Sequence, residues 1–301
     1  MELKTTQKGL VHDVQMDFYG KQVATCSSDG KIQIFQIDGE TQNLVAELQD
    51  HEGPVWQISW SNPKFGIYLA SCSNDGSVII WKQTNQNWIK EYQFSDFSSS
   101  VNSVDWAPFQ FGLHLACGSS DGNIAVLSLI NGKWKTNKHK SHQVGVNSVC
   151  WGPFVQNQTN ENQPKLQLVS GGGDSLVKIW LFNVAKGLKL LETLSGHTSW
   201  VRCVAWRRTT SAKLVIASCS QDQTVLIWTK EKQTKQNLKQ PTRWIPKKLA
   251  DFPDIVWHVS WSLTSNLLSV SCGDSDISFW EENQDGKWIK TDFNQVVEQK
   301  N

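Results

Sequence analysis

The sequence predicts an all-β protein that folds as a six-bladed β-propeller. One motif occurs six times in the 301 residues: an aspartate is followed, six positions later, by tryptophan, phenylalanine or leucine, and apolar residues alternate between them. Successive copies are 46 to 53 residues apart. A repeat of this length that ends in an alternating strand is typical of a propeller blade. The six aspartates are Asp29, Asp75, Asp121, Asp174, Asp222 and Asp274.

Each repeat is predicted to form four strands, which are clearest in the second repeat. Alternation of apolar and polar residues, rich in β-branched and aromatic types, places strands at 55–60, 68–73, 77–81 and 88–94. Two polar inserts, at 155–166 and 230–248, are predicted to be surface loops. We therefore expect a single domain with blades at about 8–50, 51–96, 97–141, 142–195, 196–251 and 252–295, and with residues 1–7 as a spare N-terminal strand.

The charge balance argues against a direct role on nucleic acid or membrane. Lys and Arg number 29 and Asp and Glu number 28, so the net charge of +1 creates no strong field. The first ten residues lack the apolar core of a signal peptide, and no stretch approaches the roughly 18 apolar residues of a membrane span. We expect a cytosolic or nuclear protein whose contact with membranes is indirect, through partners.

The seven cysteines predict buried thiols. Cysteines at one position of successive blades point into separate interfaces, and no CxxC pair is present, so we expect no disulfide, metal or other cofactor. Five cysteines lie two to four residues before a repeat aspartate, namely Cys26, Cys72, Cys117, Cys219 and Cys272.

Three repeats share a set of histidine, serine, aspartate and tryptophan. A hydrolase needs one such triad, beside an oxyanion hole. Three equivalent copies indicate instead a buried hydrogen-bond network from indole to hydroxyl to imidazole to carboxylate, so we predict no catalytic residues and no enzyme activity. The three sets are His51, Ser71, Asp75 and Trp81; His142, Ser170, Asp174 and Trp180; and His197, Ser218, Asp222 and Trp228. The first repeat has Gln7 in the histidine position.

The amino-acid sequences of the repeats resemble those of one particular WD-repeat family. The run HEGPVWQISWSNPKFGIYLASCSNDGSVIIWK at 51–82 is closely similar to the propeller subunit shared by the COPII outer coat and the nuclear-pore Y-complex. SVNSVDWAP at 100–108, GVNSVCWGPF at 145–154 and SGHTSWVRCVAW at 195–206 carry the same resemblance, as does the segment 252–283. It covers essentially the whole chain. A paralogous nucleoporin propeller shares the short motifs at 12–14 and 24–29 but fits the later blades less well.

The resemblance implies a non-catalytic scaffold. Such a subunit binds a helical-solenoid coat subunit, or a nuclear-pore scaffold subunit, that donates a blade, and it assembles into a hetero-oligomeric cage or Y-complex. The implied locations are the cytoplasmic face of the endoplasmic reticulum, COPII vesicles, the nuclear envelope and the cytosol. A nutrient-signalling complex on the lysosome is a further association of the family.

The strand count gives an independent reason to expect a donated blade. The sixth repeat has its own fourth strand at 287–293, which leaves residues 2–7 without a blade to complete. An open ring would expose strand edges, and a partner could add three strands there by β-augmentation. A six-bladed ring closed by contact of its ends is the alternative. The predicted partner-blade interface comprises Leu3, Val11, Val14 and Met16 of the first blade and Val256, Trp257 and Val259 of the sixth.

Two other classes of function compete with the scaffold. A WD-repeat adaptor could read peptides through the central channel of a closed ring, as a ligase substrate receptor or a histone-tail reader does. An enzyme is disfavoured by the triplicated sets.

Overall fold

The chain folds into six four-stranded antiparallel sheets in a computed structural model that describes residues 4–85, 87–154, 165–208, 213–231 and 243–291. Each sheet joins four strands that are consecutive in the chain, so the sheets are the blades, numbered 1 to 6 in chain order. Among the described residues the only helical element is a 3-10 turn at Phe109–Phe111. The predicted all-β, six-bladed propeller class is confirmed.

The strands of the first three blades are β1 (Val11–Met16), β2 (Gln22–Ser27), β3 (Ile32–Asp38), β4 (Thr41–Leu48), β5 (Val55–Trp60), β6 (Tyr68–Ser73), β7 (Val78–Thr84), β8 (Asn87–Phe94), β9 (Val101–Trp106), β10 (His114–Ser119), β11 (Asn123–Ile130) and β12 (Lys133–Lys140). Those of the last three are β13 (Val146–Trp151), β14 (Leu166–Gly172), β15 (Leu176–Asn183), β16 (Gly187–Ser195), β17 (Val201–Trp206), β18 (Lys213–Ser220), β19 (Thr224–Glu231), β20 (Ile245–Asp251), β21 (Val256–Trp261), β22 (Leu267–Cys272), β23 (Ile277–Glu282) and β24 (Trp288–Thr291).

Two compact units are distinguished, Met1–Val146 and Asn147–Asn301, and the boundary falls one residue into β13.

The insert at 230–248, which is predicted to be a surface loop, is partly strand at its two ends. β19 continues to Glu231 and β20 begins at Ile245, so the ends of the segment 230–248 are strand, not loop. Residues 155–164 and 232–242 lie outside the described residues.

The repeated aspartate has a structural reason. In every blade its Oδ1 accepts a hydrogen bond from the backbone N–H two residues later, at 2.7 to 3.3 Å, which closes the turn between the second and third strands. The next residue has a positive φ, from 61° to 82°, and is glycine in blades 1 to 3 but Ser175, Gln223 and Ser275 in blades 4 to 6. Aspartate fits here because its short carboxylate bonds the local backbone in such turns.

The core lies between neighbouring sheets within each unit. Because side chains alternate along a strand, every sheet presents one set of apolar residues to each neighbour. In the first unit, Ala24, Ile32 and Ile34 of blade 1 pack against Ile58 and Ile79 of blade 2. The opposite face of blade 2 packs against blade 3, and clusters of the same kind join blades 4 and 5 and blades 5 and 6 among the described residues of the second unit. None of the described helical turns is long and apolar enough to cross a bilayer.

Candidate partner-binding surface

The predicted network of blade 2 is present and is fully bonded. Trp81 Nε1 donates to Ser71 Oγ at 2.9 Å, and Ser71 Oγ lies 2.8 Å from His51 Nε2. His51 Nδ1 lies 3.1 Å from a carboxylate oxygen of Asp75, which can only accept, so Nδ1 carries the proton and Nε2 accepts from the serine hydroxyl. Burial by itself would raise the pKa of Asp75, but hydrogen bonds from His51 and Ser77 hold it well below its usual value.

Blade 5 repeats the same network. Trp228 Nε1 donates to Ser218 Oγ at 2.8 Å, Ser218 Oγ lies 2.8 Å from His197 Nε2, and His197 Nδ1 lies 3.0 Å from Asp222. Asp222 also accepts from the backbone N–H of Thr198. Burial lowers the pKa of His197, although Asp222 acts in the opposite direction, so the imidazole is held in its neutral form.

The third predicted network is seen in part. Trp180 Nε1 donates to Ser170 Oγ at 2.8 Å, and Lys178 lies 3.7 Å from the Asp174 carboxylate. His142 is buried. The link from His142 to Ser170 and Asp174 stays a prediction.

These serines are poor candidates for nucleophiles. Ser71, Ser170 and Ser218 are completely buried. In blades 2 and 5 the hydroxyl is already held between an indole donor and an imidazole acceptor, so a substrate carbonyl has no route to it. The networks hold strands in register inside a blade.

Blade 1 contains a substitute network that the sequence pattern did not reveal. Gln7 replaces the histidine: its Oε1 accepts from Thr25 Oγ1 at 2.9 Å, and its Nε2 donates to the Lys31 carbonyl at 2.9 Å. The Lys8 N–H donates to Asp29 at 3.0 Å, as the residue after the histidine does in blades 2 and 5. The sequence feature that could have predicted this network is Thr25, a hydroxyl residue four positions before the repeat aspartate, where the histidine-containing blades have serine.

The N-terminal segment lies against blade 1 without forming a strand. Gln42, on β4, accepts a hydrogen bond from the Lys4 N–H at 3.1 Å and donates one to the Lys4 carbonyl at 3.0 Å. Gln33, on β3, is bonded to the Thr6 N–H and to the Thr6 hydroxyl. Side chains rather than a backbone ladder thus hold residues 4–7 against blade 1, and the role of residues 1–7 as a spare strand for a partner's sheet stays a prediction. Leu3 lies outside the described residues.

An exposed apolar surface runs along β1. Val11, Val14 and Met16 are 41%, 51% and 57% exposed. At the same register positions of β5, Val55 and Ile58 are 0% and 1% exposed, because blade 1 covers them. Leu10, Phe18 and Tyr19, next to the two ends of the strand, are also exposed, but Phe18 and Tyr19 lie beside Trp60 and Pro63 of blade 2. Val11, Val14 and Met16 form what we call the β1 surface. All three are predicted interface residues.

The predicted contribution of blade 6 is largely wrong. Val256 and Val259 are almost completely buried, in a cluster with Val215 and Val225 of blade 5. They point from β21 toward blade 5, since alternate residues of a strand face opposite sides. The other face of blade 6 instead exposes Ile277. Its register equivalent in blade 2, three residues after the aspartate, is the buried Val78, and this spacing could have identified the correct face from the sequence.

Trp257 is the one predicted residue of blade 6 that reaches the surface. It is half exposed, and the guanidinium of Arg202 lies 4.6 Å from the centre of its indole ring.

Known proteins resemble this chain over nearly its full length. The model of the family "WD domain, G-beta repeat" matches residues 1–36, 42–82, 134–180 and 188–229. The chain is 55% identical over 291 residues to "Protein transport protein SEC13" of Kluyveromyces lactis, which covers 93% of this chain and 94% of that protein. It is 48% identical over 295 residues to "Protein SEC13 homolog" of Homo sapiens, which covers 95% of this chain and 90% of the relative.

Proposed function

Because this chain belongs to the Sec13 family of WD40-repeat proteins, we propose that it works in protein transport as a non-catalytic scaffold. In its finer form the proposal is a subunit of the COPII outer coat, acting between the endoplasmic reticulum and the Golgi, and also a subunit of the nuclear-pore Y-complex. It would reside at the cytoplasmic face of the endoplasmic reticulum, on COPII vesicles, at the nuclear envelope and in the cytosol. The sequence resemblance and the names of the relatives support this proposal.

The observation that carries the scaffold role is the exposed β1 surface. Three apolar side chains lie along one strand, at the positions that the preceding sheet covers in blade 2. Exposed apolar patches of this kind mark sites of protein association. The proposed occupant is a sheet donated by a helical-solenoid subunit, packed on β1 as blade 1 packs on β5.

The path of the N-terminal segment agrees with this occupant. Lys8 bonds to Asp29 as Glu52 bonds to Asp75, so residues 4–8 follow the route by which the last strand of one blade leads into the first strand of the next. A donated sheet would then have this segment at its outer edge. That the ring of blades is open in the absence of the partner stays a prediction.

Co-purification with a coat partner tests the proposal. We expect the tagged chain to retain a helical-solenoid subunit through a high-salt wash, and we expect Val14→Glu to reduce that retention at least tenfold, because a charge would be buried against the donated sheet. Ile89→Glu is the matched control, since Ile89 is an apolar residue of β8 with similar exposure. Equal retention by the two variants, or recovery of a ligase adaptor instead, would contradict the proposal.

A further inference from the structure

The second residue of the first strand is an asparagine that makes the same hydrogen bond in blades 3 and 4, but it is a different residue in blade 5. In blade 3 the Asn102 side chain donates to the Val146 carbonyl at 2.9 Å, and in blade 4 Asn147 donates to the Val201 carbonyl at 2.8 Å. Each amide thus ties its strand to the first strand of the next blade. Blade 5 has Arg202 at this position.

Arg202 lies between two tryptophans instead of forming that tie. Its guanidinium carbon is 5.1 Å from the ring centre of Trp200 and 4.6 Å from that of Trp257. Nη2 donates to Gln221 Oε1 at 3.0 Å. A planar guanidinium stacks well on aromatic faces, and the pair of contacts fixes its orientation. Trp200 and Trp257 are both about half exposed, so the stack opens to solvent.

The charge of this stack is not balanced within the described residues. No carboxylate of that part of the chain pairs with Arg202, and its Nε is buried without a hydrogen-bond partner. Burial lowers the pKa of the guanidinium, which measures the cost of holding this charge out of water. The indole N–H groups of Trp200 and Trp257 likewise make no hydrogen bond to another described residue. The stack therefore offers several donors and no acceptor.

We propose that Trp200, Arg202 and Trp257 form a binding site for an acidic peptide, in which a carboxylate of the peptide pairs with Arg202 and a neighbouring apolar side chain lies on an exposed indole. Arginine pairs with carboxylates through charge-assisted hydrogen bonds, which are stronger than those between neutral groups. Tryptophan and arginine are also the residues most enriched at the energetic centres of protein interfaces. The site lies on blades 5 and 6 and shares no residue with the β1 surface. The test of this site is therefore independent of the test of the scaffold proposal.

Single-stranded RNA is the less suitable occupant. Sequence-tolerant RNA binding uses a groove of several cations that follows the phosphate backbone, combined with aromatic stacking. Here a single guanidinium lies between the indoles, and the chain as a whole carries a net charge of only +1.

Fluorescence anisotropy with defined peptides tests the site. The probes are fluorescein-labelled, capped octapeptides in which glutamate alternates with proline or with leucine, and their matched glutamine analogues. The full chain should bind at least one glutamate peptide and bind its glutamine analogue at least tenfold more weakly. Arg202→Gln should weaken binding at least tenfold, whereas Arg243→Gln, which removes an exposed arginine elsewhere in blade 5, should change it less than twofold.

Trp257→Ala provides a second variant in case Arg202→Gln does not fold, as judged by circular dichroism, and it should weaken binding at least fivefold. The proposal is wrong if no glutamate peptide binds, if the glutamine analogues bind equally, or if Arg202→Gln and Arg243→Gln behave alike. Preferential binding of octauridylate would also overturn it in favour of RNA. Lower thermal stability of Arg202→Gln without any peptide binding by the unmodified chain would show that the stack only joins the blades, and this result too would overturn the proposal.

Discussion

β1 and β5 occupy the same position in consecutive blades, yet only β5 is buried. Both are six-residue strands that pair with the next strand through the same bulge, so Val14 of β1 corresponds to Ile58 of β5. Ile58 is enclosed by blade 1, and Val14 is half exposed. The difference arises because a sheet cannot bury its own face and depends on a neighbour to do so. An apolar strand without that neighbour is a surface for association.

The same pair of blades shows how a network adapts. Blade 2 bonds His51 to Ser71 and Asp75, whereas blade 1 bonds Gln7 to Thr25 and to a backbone carbonyl. Glutamine lacks a titratable ring but offers both a donor and an acceptor. The requirement is therefore a bonded bridge between strands, and histidine is one way to supply it.

The largest expected effect compares the two equivalent side chains directly. Ile58→Ala should lower the free energy of unfolding by about 2–5 kcal/mol, because it leaves a cavity between blades 1 and 2. Val14→Ala should change it by no more than about 0.5 kcal/mol, because water already reaches this side chain. Urea denaturation of the purified chain measures both values. Equal losses would show that β1 is covered in solution.

The next effect concerns the histidine network of blade 5. Asp222→Ala removes the acceptor of the exposed Thr198 N–H and leaves the buried His197 Nδ1 with only the longer contact to Thr224 Oγ1 at 3.3 Å, so it should cost about 1–3 kcal/mol. Asp285→Ala, in the exposed turn before β24, is the control and should be close to neutral. Thermal melting distinguishes the two variants. Identical melting temperatures would refute a stabilising network.

The smallest effect is a dependence on pH that arises from His197 of blade 5, where blade 1 has a glutamine. The pKa of His197 is lowered from its usual 6.5 in the folded chain, so the unfolded chain binds the proton more readily. The contribution of this group is fully present above pH 6.5 and decreases as the pH falls below that value, by at most about 1.4 kcal/mol per pH unit. The unmodified chain should therefore melt at a lower temperature at pH 5.5 than at pH 7.5.

His197→Gln, which gives blade 5 the residue type of blade 1, should show a smaller difference between the two pH values. The readout is the change with pH and not the absolute stability, which the substitution also lowers. An unchanged difference would mean that His197 is as easily protonated in the folded chain as in the unfolded one.

The sequence was most informative where the repeat itself carried the signal. The bounds of β5 and β6 agree with the alternation of residues 55–60 and 68–73, and the networks of blades 2 and 5 follow from fixed spacings. The bridge made by Gln7 was missed because its partner is a threonine and a backbone carbonyl, which leave no distinctive pattern.

The errors on blade 6 have a geometric origin. Val256 and Val259 are apolar residues of a first strand, as Val11 and Val14 are, and the sequence does not say which neighbouring sheet covers them. Blade 5 covers Val256 and Val259. The stack of Trp200, Arg202 and Trp257 joins residues more than fifty positions apart; Arg202 and Trp257 occupy the same position of neighbouring first strands, but their residue types form no repeated motif that predicts the stack.

By itself, the sequence determined the number of blades, the strand order within each blade and the residues of the repeated networks, because alternation and turn chemistry act over a few residues and recur with a fixed period. The tertiary structure decided which face of each blade is covered, how the segment 4–8 crosses blade 1 and where an unbalanced guanidinium comes to lie. These depend on contacts between sheets distant in sequence. Local pattern makes a strand apolar, but only its neighbours determine whether that strand becomes core or surface.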